Sequence, residues 1–183
     1  MKKQSLWITT GYEICSVNGF GGLKIEQLAK TVGISKSSFY HYFADIECFT
    51  ADLLDYHFER CKVLANKEKE CNQLYPNLIN ILIEHKTDLL FHRRLRINRK
   101  NIRIENALEK SNRILGNYAV MLWAKDINHN LSQTQLEGLF KIATDDFYMR
   151  INEKNLNHEY LIDYFNGLGQ ATKQLVGHLY ATD

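Results

Sequence analysis

The sequence predicts an all-α protein of about nine helices. Apolar residues recur at helical spacing along nearly the whole chain, and no stretch shows the alternation typical of a strand. A single proline and ten glycines among 183 residues leave few of the turn residues that a β-sandwich or barrel needs. The apolar share of 45% and the charged share of 24% are those of a folded chain. No apolar run is long enough to cross a membrane, and the basic start lacks the apolar core of a signal peptide, so we expect a cytoplasmic protein with no membrane partner.

Three short helices are predicted within the first 43 residues. Trp7 and Cys15 share one face of the first helix, which ends near Asn18. The second helix has apolar residues at i, i+3, i+4 and i+7 and stops at Gly33, because glycine adopts the left-handed conformation that closes a helix. Ser35 then serves as the N-cap of the third helix.

The rest of the chain predicts longer helices. Asp45 caps a fourth helix that fades near Cys71, and Pro76 opens a helix that continues to Leu90. Ser132 and Gln135 have the spacing of a capping box. Further helices are expected from Leu108 to Trp123, ending before residues 128–130, from Leu136 to Ile151, and from Leu161 to Leu179.

The second and third helices, joined by a glycine turn, have the pattern of a helix-turn-helix. Phe39 and Phe43 lie four residues apart and share the buried face. The five consecutive aromatic residues 39–43 cannot all face one core, because successive residues turn by about 100°. The third helix therefore projects a mixed polar and aromatic set: Lys36, Ser37, Ser38, Tyr40, His41 and Tyr42. Such a helix fits the DNA major groove, where hydroxyls and lysine reach base edges while tyrosine, histidine and lysine contact phosphates.

The segment from Lys24 to Phe43, with its Gly-Ile-Ser turn and its Phe-Tyr-His-Tyr-Phe run, resembles the DNA-binding signature of the TetR family of bacterial transcriptional regulators. The Asn-Gly-Phe that ends the first helix agrees, and the resemblance covers roughly residues 7 to 50. It implies a ligand-responsive repressor that acts as a homodimer on a palindromic double-stranded DNA operator. Residues 1–46 would then form the helix-turn-helix DNA-binding domain, and residues 47–183 a helical domain that dimerises and binds a small-molecule effector of unknown identity.

The resemblance also assigns individual DNA contacts. It implies a phosphate contact for Tyr40 with Tyr42 beside it, base-facing positions for Lys36, Ser37 and Ser38, and a backbone-contacting helix start at Lys24. Three positions depart from the family pattern. Lys24 replaces a threonine-like helix start, Ser37 stands where glycine is common, and Ile46 stands where many members place a phosphate-binding lysine.

No motif predicts an enzyme. Gly19-Phe20-Gly21-Gly22 follows no strand, so it is not a dinucleotide-binding turn. The adjacent acids Asp145 and Asp146 point apart on a helix and cannot form a catalytic pair. The four cysteines form no C-x-x-C pair, and no histidine lies at zinc-finger spacing from them, so we interpret them as reduced thiols and expect neither metal nor cofactor.

The C-terminal part carries weaker signals. Tyr118, Trp123 and Phe147 are candidates for lining an effector pocket, although residues of this kind more often belong to the core. The apolar stripes of the last two helices are long enough to form a dimer interface, and Gly167 and Gly169 would permit close helix packing. An alternative is a DNA-binding regulator without small-molecule input, whose C-terminal domain only dimerises or recruits a protein partner.

Charge is unevenly distributed along the chain. Residues 1–46 carry a net charge of +2 and residues 126–183 a net charge of −4, which suits a chain whose front contacts an anion. The densest basic run extends from His92 to Arg103. Three interpretations of this run stay open: a solvated surface, an auxiliary phosphate contact, and a site for a partner or an anionic ligand.

Overall fold

The computed structural model describes residues 2–127 and 132–179, and within these residues it contains ten α-helices and no strand. The helices are α1 (Lys2–Asn18), α2 (Ile25–Val32), α3 (Lys36–Tyr42), α4 (Ile46–Glu70), α5 (Ile79–Glu84), α6 (Lys86–Ile97), α7 (Ile102–Leu115), α8 (Tyr118–Ile127), α9 (Gln133–Arg150) and α10 (His158–Leu179). A 3-10 turn at Phe20–Gly22 and a π turn at Leu74–Leu78 complete them. The predicted all-α class is confirmed, with one helix more than expected. No helix within the described residues is both long enough and apolar enough to cross a membrane.

Several predicted helix ends are confirmed. Gly33 ends α2 in the left-handed conformation, with φ 72° and ψ 25°. The Asp45 carboxylate accepts a hydrogen bond of 2.8 Å from the backbone N–H of Cys48 and so caps the start of α4. Ser132 and Gln135 form both hydrogen bonds of the capping box at the start of α9.

Two stretches that the sequence predicts as single helices are each divided in two. The helix expected from Pro76 to Leu90 starts as a π turn and is interrupted at His85, whose φ of −96° and ψ of 23° are not helical. The helix expected to run to Trp123 ends at Gly116, which has a φ of 66°. A glycine adopts such a φ without steric clash, which explains the second break, whereas the break at His85 has no glycine or proline to announce it.

Residues Met1–Leu64 and Thr87–Gly116 form one compact unit, which we call the front unit. Its core consists of fully buried aromatic and aliphatic side chains, among them Trp7, Leu28, Phe39, Phe49, Leu53, Phe91 and Leu95. Gly11 on α1 faces the ring of Phe49 so closely that an added Cβ would lie 2.7 Å from the ring carbon Cε1. Cys15 is buried as predicted, and burial raises the pKa of its thiol to about 12.

Residues Ala65–Lys86 and Asn117–Asp183 form a second compact unit, the rear unit. An aromatic group packs between α9 and α10, where the ring centroid of Phe147 lies 5.5 Å from that of Tyr164 and 6.3 Å from that of Phe165. The predicted apolar stripes therefore do meet, at least through these rings. The side chains of residues 175–179 and the helix end predicted at 128–130 lie outside the described residues.

No other helix packs closely on Gly167 or Gly169 within the described part of the chain, and their predicted role at a dimer interface stays a prediction. A Cβ placed on either glycine would have no other described atom within 4 Å, apart from its own helix backbone and chain neighbours. Among the residues that the structure describes, the two glycines therefore border open space on α10 rather than another helix.

Candidate DNA-binding interface

The turn between α2 and α3 is fixed by backbone hydrogen bonds that its glycine makes possible. The N–H groups of Gly33 and Ile34 both donate to the carbonyl of Ala29, at 3.0 and 3.1 Å. This pair of bonds satisfies the end of α2 and turns the chain sharply. Ser35 then starts α3 in the extended conformation, and its carbonyl accepts from the N–H of Ser38 at 2.9 Å.

The third helix is anchored by one aromatic side chain. Phe39 is fully buried, and its ring makes edge contacts with Trp7 at 5.4 Å and with Phe49 at 5.3 Å between centroids. Phe43, just after α3, packs against the same Phe49 ring at 4.8 Å. Rings from α1, α3 and α4 thus interlock, which fixes the rotation of α3 about its own axis.

That rotation decides which of the predicted contact residues are exposed. Lys36, Ser37, Tyr40 and His41 are exposed, at the spacing i, i+1, i+4 and i+5 that defines one helix face. Tyr40 exposes 57% of its surface. We call these four residues the reading face.

Ser38 and Tyr42, also predicted to contact DNA, lie beside the reading face and are half-buried. The ring of Tyr42 packs against the core and lies 5.0 Å from the His41 ring between centroids. Their DNA contacts stay predictions, and the burial leaves less of each side chain available to a groove.

The predicted contact at Lys24 lies at the start of α2. Lys24 is the N-cap residue in an extended conformation, with φ −111° and ψ 125°, and its side chain is exposed. Ile46, which departs from the family pattern, is half-buried against the core at the start of α4. An apolar side chain packed there does not bind a phosphate.

An ion pair that the sequence did not predict joins α2 to α3. The Nζ of Lys36 donates a hydrogen bond to the carboxylate of Glu26, and this bond holds the pKa of Glu26 below its ordinary value. Both side chains are more than half exposed. If Lys36 contacts DNA, it must exchange this carboxylate for a phosphate or a base.

The basic run from His92 to Arg103 contains a structural cap that none of the three interpretations foresaw. The guanidinium of Arg94 donates to the backbone carbonyl of Ser16 at 3.0 Å and to that of Val17. A cation at this place satisfies carbonyls that the end of α1 leaves without helical partners. At least this residue of the run therefore stabilises α1.

A buried polar network connects α1, α4 and α6 within the front unit. The Tyr12 hydroxyl donates to Asp88 at 3.0 Å and lies 2.7 Å from Nδ1 of His57. Arg60 donates to both carboxylate oxygens of Asp88, at 2.9 to 3.2 Å. Burial lowers the pKa of His57 to about 3 and that of His92 well below its ordinary value, so both imidazoles are neutral near pH 7.

The three candidates for an effector site belong to the rear unit. Trp123 on α8 is 4% exposed, and its indole N–H has no hydrogen-bond acceptor within the described part of the chain. Tyr118, on the same helix, is half-buried with the ammonium of Lys69 5.0 Å from its ring centroid. Phe147 belongs to the aromatic group of α9 and α10.

Comparison with known proteins agrees with this architecture. The sequence profile of the family "Bacterial regulatory proteins, tetR family" matches residues 8–48, which include α2, the turn and α3. The HTH-type transcriptional repressor NemR from two strains of Escherichia coli, K12 and O6:H1, is 39% identical to the chain over 51 residues. That match covers 28% of this chain and 26% of each repressor.

The likeness in sequence to the TetR family is thus confined to residues 8–48 and the matched segment around them.

Two solved structures of TetR-family regulators share the fold along almost the entire chain. A protein from Rhodococcus sp. described as a TetR-family transcriptional regulator has a TM-score of 0.55 at 16% identity, over 94% of this chain and 98% of its own. A protein from Mesorhizobium loti with the same description has a TM-score of 0.54 at 17% identity, over 95% and 96%. At such low identity the likeness concerns the fold alone.

The residues that could not be predicted from the sequence are those joined across the fold. Glu26 is ten positions from Lys36, and Arg94 is 78 positions from Ser16, so neither pair leaves a pattern in the sequence. His57 and Cys61, by contrast, are four residues apart on α4 and therefore share a helix face. That spacing could have been noticed.

Proposed function

We propose that the protein is a sequence-specific DNA-binding transcriptional regulator that acts as a homodimeric repressor on a palindromic operator and responds to a small-molecule effector. The observation that carries this proposal is the reading face on α3, which presents a lysine, a serine, a tyrosine and a histidine to solvent. The buried Phe39 ring fixes the opposite side of the same helix. We retain residues 1–46 as the DNA-binding domain and residues 47–183 as the effector-binding and dimerisation domain.

The reading face divides into positioning and reading roles. Tyr40 and His41 would hold phosphates, because a phenol and an imidazole donate hydrogen bonds to phosphate oxygens. Lys36 and Ser37 lie one turn earlier, at the start of α3, where a recognition helix contacts base edges. Lys24 at the start of α2 would contact the DNA backbone.

Binding assays on variants test these roles. The operator is first selected from random duplexes with the full-length protein, and affinities are then titrated on operator and scrambled DNA at several salt concentrations. Tyr40→Phe removes one hydrogen bond to phosphate and should weaken both duplexes alike, by between about 0.5 and 3 kcal/mol. Ser37→Ala should weaken the operator more than the scrambled duplex. The proposal fails if both variants bind the operator as tightly as the wild type.

The dimer interface is proposed on α9 and α10. Ile142 and Met149 on α9 are 70% and 55% exposed, Ile162 on α10 is 38% exposed, and Gly167 and Gly169 border open space. Burying such side chains against a second copy is favourable, and a two-fold axis matches a palindromic operator. Sedimentation at micromolar concentration should show a dimer, and a monomer both with and without DNA would refute this interface.

The effector is proposed to bind in the rear unit beside Trp123. The indole N–H of Trp123 is buried and has no acceptor among the described residues, so a ligand that carries a hydrogen-bond acceptor would satisfy it. Since the chain has two tryptophans, Trp7→Phe leaves Trp123 as the reporter of fluorescence. An effector that releases DNA should change this emission. Release with unchanged emission would exclude Trp123 from the effector site.

A further inference from the structure

Three side chains that bind transition metals meet inside the front unit. His57 and Cys61 lie one turn apart on α4, His92 lies on α6, and all three are buried. Their ligand atoms lie within 4.8 Å of one another. The Nε2 of His57 is 3.3 Å from Nδ1 of His92 and 3.4 Å from Sγ of Cys61.

Surrounding hydrogen bonds assign the proton on His57. Asp88 is ion-paired with Arg60, so its carboxylate only accepts hydrogen bonds, and the Tyr12 hydroxyl donates its single hydrogen to it. At 2.7 Å from the same hydroxyl oxygen, Nδ1 of His57 must therefore be the donor. The lone pair of His57 is left on Nε2, directed toward Cys61 and His92.

The proton on His92 is assigned in the same way. The Oδ1 of Asn112 accepts from the guanidinium of Arg96 at 3.3 Å and lies 3.1 Å from Nε2 of His92, which therefore donates to it. The lone pair of His92 is left on Nδ1. Two imidazole lone pairs thus face each other at 3.3 Å beside a thiol, an arrangement that a shared proton or a cation stabilises.

We propose that Nε2 of His57, Sγ of Cys61 and Nδ1 of His92 form a binding site for a thiophilic transition-metal ion, and that copper(I) is the ion that fits best. A three-coordinate metal about 2.0 Å from nitrogen and about 2.3 Å from sulfur holds two nitrogens about 3.5 Å apart, and a nitrogen and a sulfur about 3.7 Å apart, at trigonal angles of about 120°. The observed 3.3 and 3.4 Å are within about 0.3 Å of this spacing, so small side-chain shifts would complete the site.

Charge and ligand number favour copper(I) over zinc. Binding replaces the thiol proton of Cys61, which leaves to solvent, so a thiolate, two neutral imidazoles and Cu⁺ sum to zero charge. Zn²⁺ would leave one positive charge in a buried place, which is costly. Zinc also takes a fourth ligand, which at a three-residue site is a water or a substrate, whereas all three members of this group within the described residues are buried. Thiolate and imidazole are ligands that suit copper.

Tyr12 and Asn112 act as positioning residues for this site. Partners that accept the second N–H of a ligating histidine fix its tautomer and the direction of its lone pair. No metal was expected because the cysteines form no C-x-x-C pair, and a ligand 35 positions from His57 on another helix leaves no pattern in the sequence.

Metal titration of the full-length reduced protein tests the site. Copper(I) is added without oxygen, in competition with a chromogenic copper(I) chelator, and Zn²⁺ is added in a separate series. The wild type should retain one copper(I) per chain, and Cys61→Ser should lose it. Cys15→Ser, a matched change of another buried thiol in the front unit, should retain it. Tyr12→Phe should keep the stoichiometry and weaken the affinity by about 10- to 100-fold.

Two further results test the existence of the site and the choice of ion separately. X-ray absorption of the copper-loaded wild type should show one sulfur and two nitrogen ligands. This measurement uses the wild type alone, so it tests the site even if the Cys61→Ser protein does not fold. Retention of copper by Cys61→Ser, or loss of copper from the wild type to the chelator, would overturn the site. Tighter retention of Zn²⁺ than of copper(I) would overturn the choice of ion.

The metal would also be an input to DNA binding, a consequence that rests on the proposed function. It would join α4 to α6 within the unit that carries the reading face. Operator affinity should therefore differ at least severalfold between the copper-loaded and metal-free wild type, and an equal affinity would refute this coupling. The metal titration contains no DNA and therefore tests the metal site independently of the proposed function. A protein that binds copper(I) but no operator would refute the proposed function and not the metal site.

Discussion

Replacing Glu68 by glutamine should stabilise the protein above neutral pH. Glu68 on α4 is buried, and this burial raises the pKa of its carboxyl from 4.5 to about 7. The folded chain therefore holds this proton between pH 4.5 and 7, where the unfolded chain releases it. The free energy of unfolding falls across that interval as pH rises, and above pH 7 it stays lower by about 3 kcal/mol, since each pKa unit corresponds to about 1.4 kcal/mol.

Urea unfolding followed by circular dichroism at pH 5, 6, 7 and 8 measures this effect. The free energy of unfolding of Glu68→Gln should exceed that of the wild type by little at pH 5 and by about 3 kcal/mol at pH 8. Glu70→Gln, an exposed change on the same helix, should stay within about 0.5 kcal/mol of the wild type. A Glu68→Gln difference that does not vary with pH, or that is negative at pH 8, would refute the reasoning.

Further variants test packing and charge in the rest of the structure. Gly11→Ala should lower the free energy of unfolding by about 1 to 3 kcal/mol, because its Cβ meets the fully buried ring that faces it. Gly138 lies in the interior of α9, and an added Cβ there would meet no described atom within 4 Å outside its own helix. Gly138→Ala should therefore raise the free energy of unfolding by about 0.5 to 1 kcal/mol. Equal effects of Gly11→Ala and Gly138→Ala in urea unfolding would contradict this packing. Glu26→Gln should strengthen DNA binding by roughly two- to fivefold in an anisotropy titration, because it frees Lys36 from its ion pair. Glu59→Gln removes the same charge from an ion pair elsewhere, on α4, so an equal gain there would show a general charge effect instead.

The helix-turn-helix was predictable because its determinants are local in the sequence. The apolar spacing of α2, the left-handed Gly33 and the buried Phe39 and Phe43 all lie within about twenty residues, and the structure confirms each of them. The sequence predicted six residues on the outer side of α3 but not how exposed each side chain is. Ser38 proved half-buried because the rotation of α3 depends on rings from α1 and α4.

Features that join distant positions were not predictable in the same way. Tyr12 is 45 positions from His57 and 76 positions from Asp88, so their hydrogen bonds appear only after α1, α4 and α6 are packed together. The cap that Arg94 forms on α1 is of the same kind, since the sequence shows only a basic run. The interruption at His85 lacks a local signal as well, because no glycine or proline marks it.

A photocrosslinking measurement tests the central claim, that α3 contacts DNA. His41→p-benzoylphenylalanine places a crosslinker on the reading face, and Glu59→p-benzoylphenylalanine places one on an exposed position of α4, about 20 Å along that helix from its start. With operator DNA bound to the full-length protein, irradiation should join DNA to the variant at position 41 and not to the variant at position 59. DNA binding without a crosslink from position 41, or with a crosslink from position 59 alone, would contradict the account.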